Sequence, residues 1–128
     1  MDDPLKWLEV AKSNLKRGED NSYLDLTDIR LEELCFDLQQ CAEKSLKAIL
    51  IKNKIQFPKT HNIVELLVLI KKKLKITIPD DIKEAAILTD YAVTTRYPCD
   101  YNPVSEKEYE EAVKIARRVY MWAKMLVE

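Results

Sequence analysis

The chain has 128 residues, 47% of them hydrophobic, which is enough to build one core and hardly two, so a single domain over residues 1–128 is expected. One Gly and five Pro among abundant Leu, Lys, Glu, Ala and Ile argue against a hairpin-rich sheet and for an all-α fold. Lys+Arg 21 against Asp+Glu 22 leaves a net charge of -1, which excludes a global basic field for nucleic acid, so any RNA contact must be local.

Pro4 to about Arg17 reads as the first helix, with Pro in the first turn, Leu5, Leu8, Ala11 and Leu15 at helical spacing, and Gly18 as its end. Asn21 to Leu26 form a loop, and Asp28 offers an N-cap for a second helix reaching about Asn53. Its core stripe is Leu31, Leu34, Leu38, Cys41, Ala42, Ser45 and Ile49. Phe36 and Leu50 lie on the opposite side with Gln40, Glu43 and Lys47, a mixed face that calls for a neighbour. Phe36, Gln40, Glu43 and Lys47 are therefore the candidate dimer or partner seam. The plainer account is an exposed i,i+4 ion pair between Glu43 and Lys47.

The third helix has a clean period in Ile63, Leu66, Leu67, Ile70 and Leu74, and Asn62 with Glu65 resembles a capping pair. Lys71, Lys72, Lys73 and Lys75 suit the negative pole of its dipole. Asp80 caps a fourth helix whose small-residue face of Ile82, Ala85, Ala86, Thr89, Ala92 and Val93 also carries Arg96, before Pro98 stops it. The final helix opens on the capping box Ser105 to Glu108 and carries a broad apolar arc around Ala112, Val113, Ile115, Ala116, Val119, Tyr120, Trp122 and Ala123. Helices two and five thus present more apolar face than a lone bundle uses, and a homodimer is expected.

The connection Thr94 to Pro103 joins these last two helices and concentrates an Arg, two Tyr, a Cys and an Asp. Arg96, Tyr97, Asp100 and Tyr101 are the candidate ligand-binding residues there: a guanidinium for phosphate, flanked by stacking and hydrogen-bonding surfaces; the plainer account of Arg96 is an ion pair with Asp100 or Asp90 that pins the elbow. Cys35, Cys41 and Cys99 show no metal spacing and there is one His, His61, so neither a metal centre nor a cofactor is expected. The start lacks a signal pattern and Ile63 to Ile70 is too short to span a bilayer, so a cytoplasmic protein with free thiols and no membrane association is expected. High Lys and Glu with few Gln leans toward a thermophilic source.

Three pieces in order carry a family resemblance. Cys35-Phe36-Asp37-Leu38-Gln39-Gln40-Cys41-Ala42-Glu43-Lys44-Ser45-Leu46-Lys47-Ala48 resembles the long second helix of HEPN-domain proteins, Thr60-His61-Asn62-Ile63 the short signature before their third helix, and Leu88-Thr89-Asp90-Tyr91 through Arg96-Tyr97-Pro98, with the final helix, completes the match over nearly the whole chain. The resemblance implies an up-and-down bundle of four or five helices, commonly dimeric. It also implies pairing with a minimal nucleotidyltransferase in toxin–antitoxin-like systems. Many such proteins are metal-independent ribonucleases, with an Arg followed within a few residues by a His. Arg96 matches that Arg, but Tyr101, Asn102 and Pro103 stand where the His belongs. A Tyr titrating near about 10 is a poor substitute for imidazole at neutral pH. The resemblance therefore points to a non-catalytic binder of nucleotide, single-stranded RNA or a partner protein. The alternative is an atypical ribonuclease toxin in which Arg96 works with Tyr97, Tyr101 or His61. A third reading has an elbow tyrosine modified by the partner transferase.

Overall fold

The computed structural model describes residues 3–20, 30–92 and 103–128. These residues form α1 (Pro4–Gly18), α2 (Leu31–Lys52), α3 (Ile63–Leu74), a short α4 (Asp80–Lys83) that continues as a 3₁₀ helix (Glu84–Ala92), and α5 (Glu106–Val127), with no strand among them. The all-helical architecture is the one expected. Helix α2 starts with Arg30, not the expected Asp28, at its cap position and with no side-chain capping bond, while the elbow from 94 to 102 lies outside the described residues.

Helix α1 begins where Asp3 accepts the Leu5 amide at 2.9 Å. Leu8, Ala11 and Leu15 are buried as the periodicity requires, but Leu5 is 52% exposed. Trp7 takes its place instead, meeting Phe57 edge-to-face at 6.4 Å between centroids. At the other end, Gly18 does more than terminate the helix. A Cβ added there would stand 2.6 Å from Leu38 Cδ2 and 3.1 Å from the Leu34 carbonyl, so only glycine lets α1 approach α2 this closely.

Helix α2 is the centre of the molecule and packs against α1, α3, α5 and the 3₁₀ segment. The expected stripe is buried from Leu34 to Ile49, with Leu31 half-buried. The opposite side is buried too, including Gln39, Glu43, Leu46, Lys47 and Leu50. The chain itself thus supplies most of the neighbour that this face calls for.

Asn62 caps α3, accepting the amides of Val64 and Glu65 at 2.9 and 3.4 Å. Its own amide donates to Thr60 Oγ1 at 3.0 Å, so Thr60 fills the part expected of Glu65. Lys75 closes α3 in the left-handed region at φ 55°.

The fourth helical segment departs from expectation in two ways. Asp80 is its first helical residue, with Pro79 at the cap position. From Glu84 the chain winds as 3₁₀, with close to three residues per turn, so Ile82, Ala85 and Leu88 form a buried row; Ala92 is buried as expected, while Ala86 and Thr89 sit half-exposed. The tighter winding turns Leu88 inward at a position that an α-helical projection leaves off the packing face. In α5 the capping box forms reciprocally, Ser105 Oγ accepting the Glu108 amide at 3.1 Å and Glu108 Oε1 accepting the Ser105 amide at 3.0 Å.

Three contacts fix α5 in place. Tyr109 donates its hydroxyl to the Gly18 carbonyl at 2.5 Å, the Val104 amide donates to Glu32 Oε2 at 2.9 Å, and the Cys41 thiol lies 3.9 Å from the Ala116 carbonyl. Because Glu32 meets Val104 near the start of both helices and Cys41 meets Ala116 further along each, α2 and α5 run side by side in one direction.

Candidate functional site

Along one side of α2 the sequence places Phe36, Gln40, Glu43, Lys44 and Lys47 at helical spacing, with Gln39 at the edge. The structure turns them into one hydrogen-bonded network. Lys47 Nζ donates to Glu43 Oε2 at 2.9 Å, and Gln39 Nε2 donates to Glu43 Oε1 at 3.1 Å. His61, on the loop before α3, brings Nδ1 within 2.8 Å of the same Oε1. Gln39 also donates to the His61 carbonyl at 3.3 Å, while Gln40 donates to Gln39 Oε1 at 2.7 Å and receives Lys44 Nζ at 2.6 Å.

The expected ion pair between Glu43 and Lys47 forms, but it is buried rather than exposed: the side chains are only 4% and 10% accessible. The reason is that α2 is covered on this side by the chain's own α3 and its preceding loop. Burial alone would push the Glu43 carboxyl up, but hydrogen bonds from Lys47, His61 and Gln39 outweigh it and hold the group below the usual carboxylate range. Burial pushes the half-buried Lys44 ammonium down. Glu43 draws it back up, Lys47 and Arg17 push it further down, and the net shift is downward. Lys47 also lies 5.6 Å from the Phe57 ring centroid, which joins the network to the Trp7–Phe57 pair.

Of the four seam candidates, Glu43 and Lys47 are buried within the chain, while Phe36 and Gln40 are half-buried. The ligand-binding candidates Arg96, Tyr97, Asp100 and Tyr101 lie outside the described residues, as does Cys99. Their flanks are described. On the leading side, Thr89 Oγ1 accepts the Ile63 amide at 3.1 Å, so the 3₁₀ segment meets α3 two residues from His61. On the trailing side, Val104 is held by Glu32.

His61 itself is where the sequence places it, in the turn that starts α3, and its ring is 57% exposed. Its partnership with Glu43 is not legible in the sequence, because the two residues are read from different elements. Gln39 escapes sequence reasoning as well, since a fully buried Gln within an apolar helix gives no signal until its partners are known. Two other reactive groups, the thiols of Cys35 and Cys41, are buried, and Tyr91 is half-buried. Burial raises the thiols of Cys35 and Cys41 to about 12, and Tyr91, which donates to the Cys35 sulfur, is likewise raised by burial to about 12. Among the described residues there is no cluster of metal-binding side chains and no helix long and apolar enough to cross a membrane. A shallow groove between α4 and α5, about 660 Å³ and floored by Pro79, Ile82, Met121, Trp122 and Met125, lies apart from the network and holds none of its residues.

The HEPN domain family model matches residues 5–126. Among solved structures, TT1696 from Thermus thermophilus is 29% identical, with a TM-score of 0.80 over 98% of this chain and 99% of that one. ST0689, described as an archaeal HEPN homologue, is 27% identical, with a TM-score of 0.76 over 100% of both chains. No curated protein shows significant similarity. The chain belongs to the HEPN-domain family.

Proposed function

We propose that this HEPN-domain protein works by binding: as a homodimer it holds a nucleotide or single-stranded RNA at the elbow around Arg96, Tyr97, Asp100 and Tyr101. Its protein partner in this reading is a minimal nucleotidyltransferase, in a toxin–antitoxin-like pair. The carrying observation is the position of the chain's one imidazole. His61 sits ahead of α3 with Nδ1 engaged by Glu43, and not in the few residues after Arg96 where the family's ribonuclease motif requires it. An Arg without that partner still neutralises and orients a phosphate, which is binding without proton transfer.

The test is direct. Purified protein is titrated with nucleotides and single-stranded RNA and then incubated with the RNA, in parallel with Arg96→Ala. Arg96-dependent binding with intact RNA supports the proposal. Robust cleavage that disappears in Arg96→Ala, with the helical fold retained, overturns it. Sedimentation as a stable monomer at micromolar concentration would remove the dimer.

One observation favours the second reading, the atypical ribonuclease: a buried carboxylate orienting an exposed imidazole is a usable proton-transfer arrangement. That reading fails where His61→Ala and Arg96→Ala each leave any RNA cleavage unchanged.

A further inference from the structure

We infer that the outer face of α5 around Met121 and Met125 is where two copies of this chain meet, their α5 helices antiparallel and each copy's methionines seated in the groove between the other's α4 and α5. This rests on the homodimer of the reading above and names its contact surface.

The exposed side of α5 carries Arg118, Met121 and Met125, with Glu128 at its cap, at spacings of three, four and three residues, the seam of a helix that packs on another helix. The described residues leave that seam open: Met121 is 55% and Met125 71% exposed. Beside it lies the groove of about 660 Å³, walled by Pro79 and Ile82 at the start of α4, with Trp122 half-buried in its floor. Single apolar residues on a surface are ordinary, but two long ones a turn apart beside an apolar groove form a patch. Methionine is the flexible, polarisable side chain that fills an irregular groove.

Charge selects the occupant and its direction. A two-fold axis along α5 would set Arg118 against Arg118 and Glu128 against Glu128, like charges opposed. A two-fold axis across α5 reverses the second helix, and the register centred on Ala123, which faces the core on the opposite side, sets Met121 against Met125 of the second copy. Positions 118 and 128 are symmetric about 123 as well, so the same register sets Arg118 against Glu128 of the second copy, and the pair occurs at both ends of the contact. Arg118 already donates to Glu84 at 3.2 Å, and its guanidinium has further N–H groups for a second carboxylate. One register therefore matches the apolar and the charged residues of a single face with themselves, which is what an isologous contact requires.

The experiment is sedimentation equilibrium of the full chain at micromolar concentration and low salt, with circular dichroism confirming the fold of each variant. Met121→Glu and Met125→Glu alter exposed residues, so the fold persists while an unpaired charge enters the seam, and each is expected to weaken the dimer about a hundredfold. Arg118→Glu and Glu128→Arg are each expected to weaken it about five- to tenfold. The two together should restore it, because the exchanged charges face one another again in the same register. A dimer that both methionine variants leave intact overturns the inference and keeps the homodimer, with its contact elsewhere. Charge variants whose losses add, with no rescue in the double variant, overturn the antiparallel register and the inference with it. An unaltered protein that sediments as a monomer overturns both this contact and the homodimer, and leaves the groove to a different protein.

Discussion

Replacing Glu43 with Ala removes one acceptor from three donors, and the structure says what each loses. His61 is mostly exposed and turns to water at little cost. Gln39, fully buried, keeps its bond to the His61 carbonyl. Lys47 loses most: its side chain is 10% accessible and Glu43 is its only carboxylate partner among the described residues. Breaking a buried pair by removing one member costs about 3–5 kcal/mol, and the lower end applies here because Lys47 keeps the Phe57 ring and a slim path to water. For a chain of this size that is a fall in Tm of about 10–15 °C. The double replacement Glu43→Leu with Lys47→Met leaves no orphaned charge and should lie within about 1 kcal/mol of the unaltered protein. Urea titration of the three proteins gives the comparison. A single variant that costs under about 1 kcal/mol, or a double variant as unstable as the single, would refute the claim that the pair is buried and mutually dependent.

Four further outcomes follow from the geometry. Gly18→Ala places a methyl against Leu38 and the Leu34 carbonyl, so despite the better helix propensity it should cost about 1–2 kcal/mol, and combining it with Leu38→Ala should cost less than the sum of the two, read by urea midpoints. Lys54 and Lys75 hold φ at 57° and 55°, and Lys54→Gly and Lys75→Gly should each stabilise by about 0.5–1 kcal/mol, visible as a higher thermal midpoint. Glu43 has a folded pKa below its unfolded value, so its contribution is fully present above the ordinary value of 4.5 and is lost as pH falls through the folded value; Glu43→Gln should flatten the acid limb of a stability–pH curve. Cys35 and Cys41, buried and raised to about 12, should resist iodoacetamide in the native protein and react once it is unfolded, as mass spectrometry would record.

How far the sequence could be read depends on the range of the interactions involved. The capping box at Ser105, the cap at Asn62 and the stripe of α3 are local, and they stand in the structure as the spacing requires. The burial of α2 on both sides is tertiary: nothing in Glu43 and Lys47 alone distinguishes an exposed i,i+4 pair from one covered by a loop 18 residues away. The 3₁₀ segment misleads the projection for a geometric reason. An α-helix advances about 100° per residue and a 3₁₀ helix about 120°, so over the nine residues from Glu84 to Ala92 the two diverge by nearly half a turn. The buried residues of this segment are accordingly Ala85, Leu88 and Ala92 rather than the Ala86 and Thr89 of an α-helical stripe, and the projection alone does not place Arg96. What remains for Arg96 is its sequence position, after a flank that Thr89 ties to the start of α3. That bond brings the elbow's approach and the Glu43-held imidazole to the same end of one short helix, through contacts between elements that no single stretch of sequence contains.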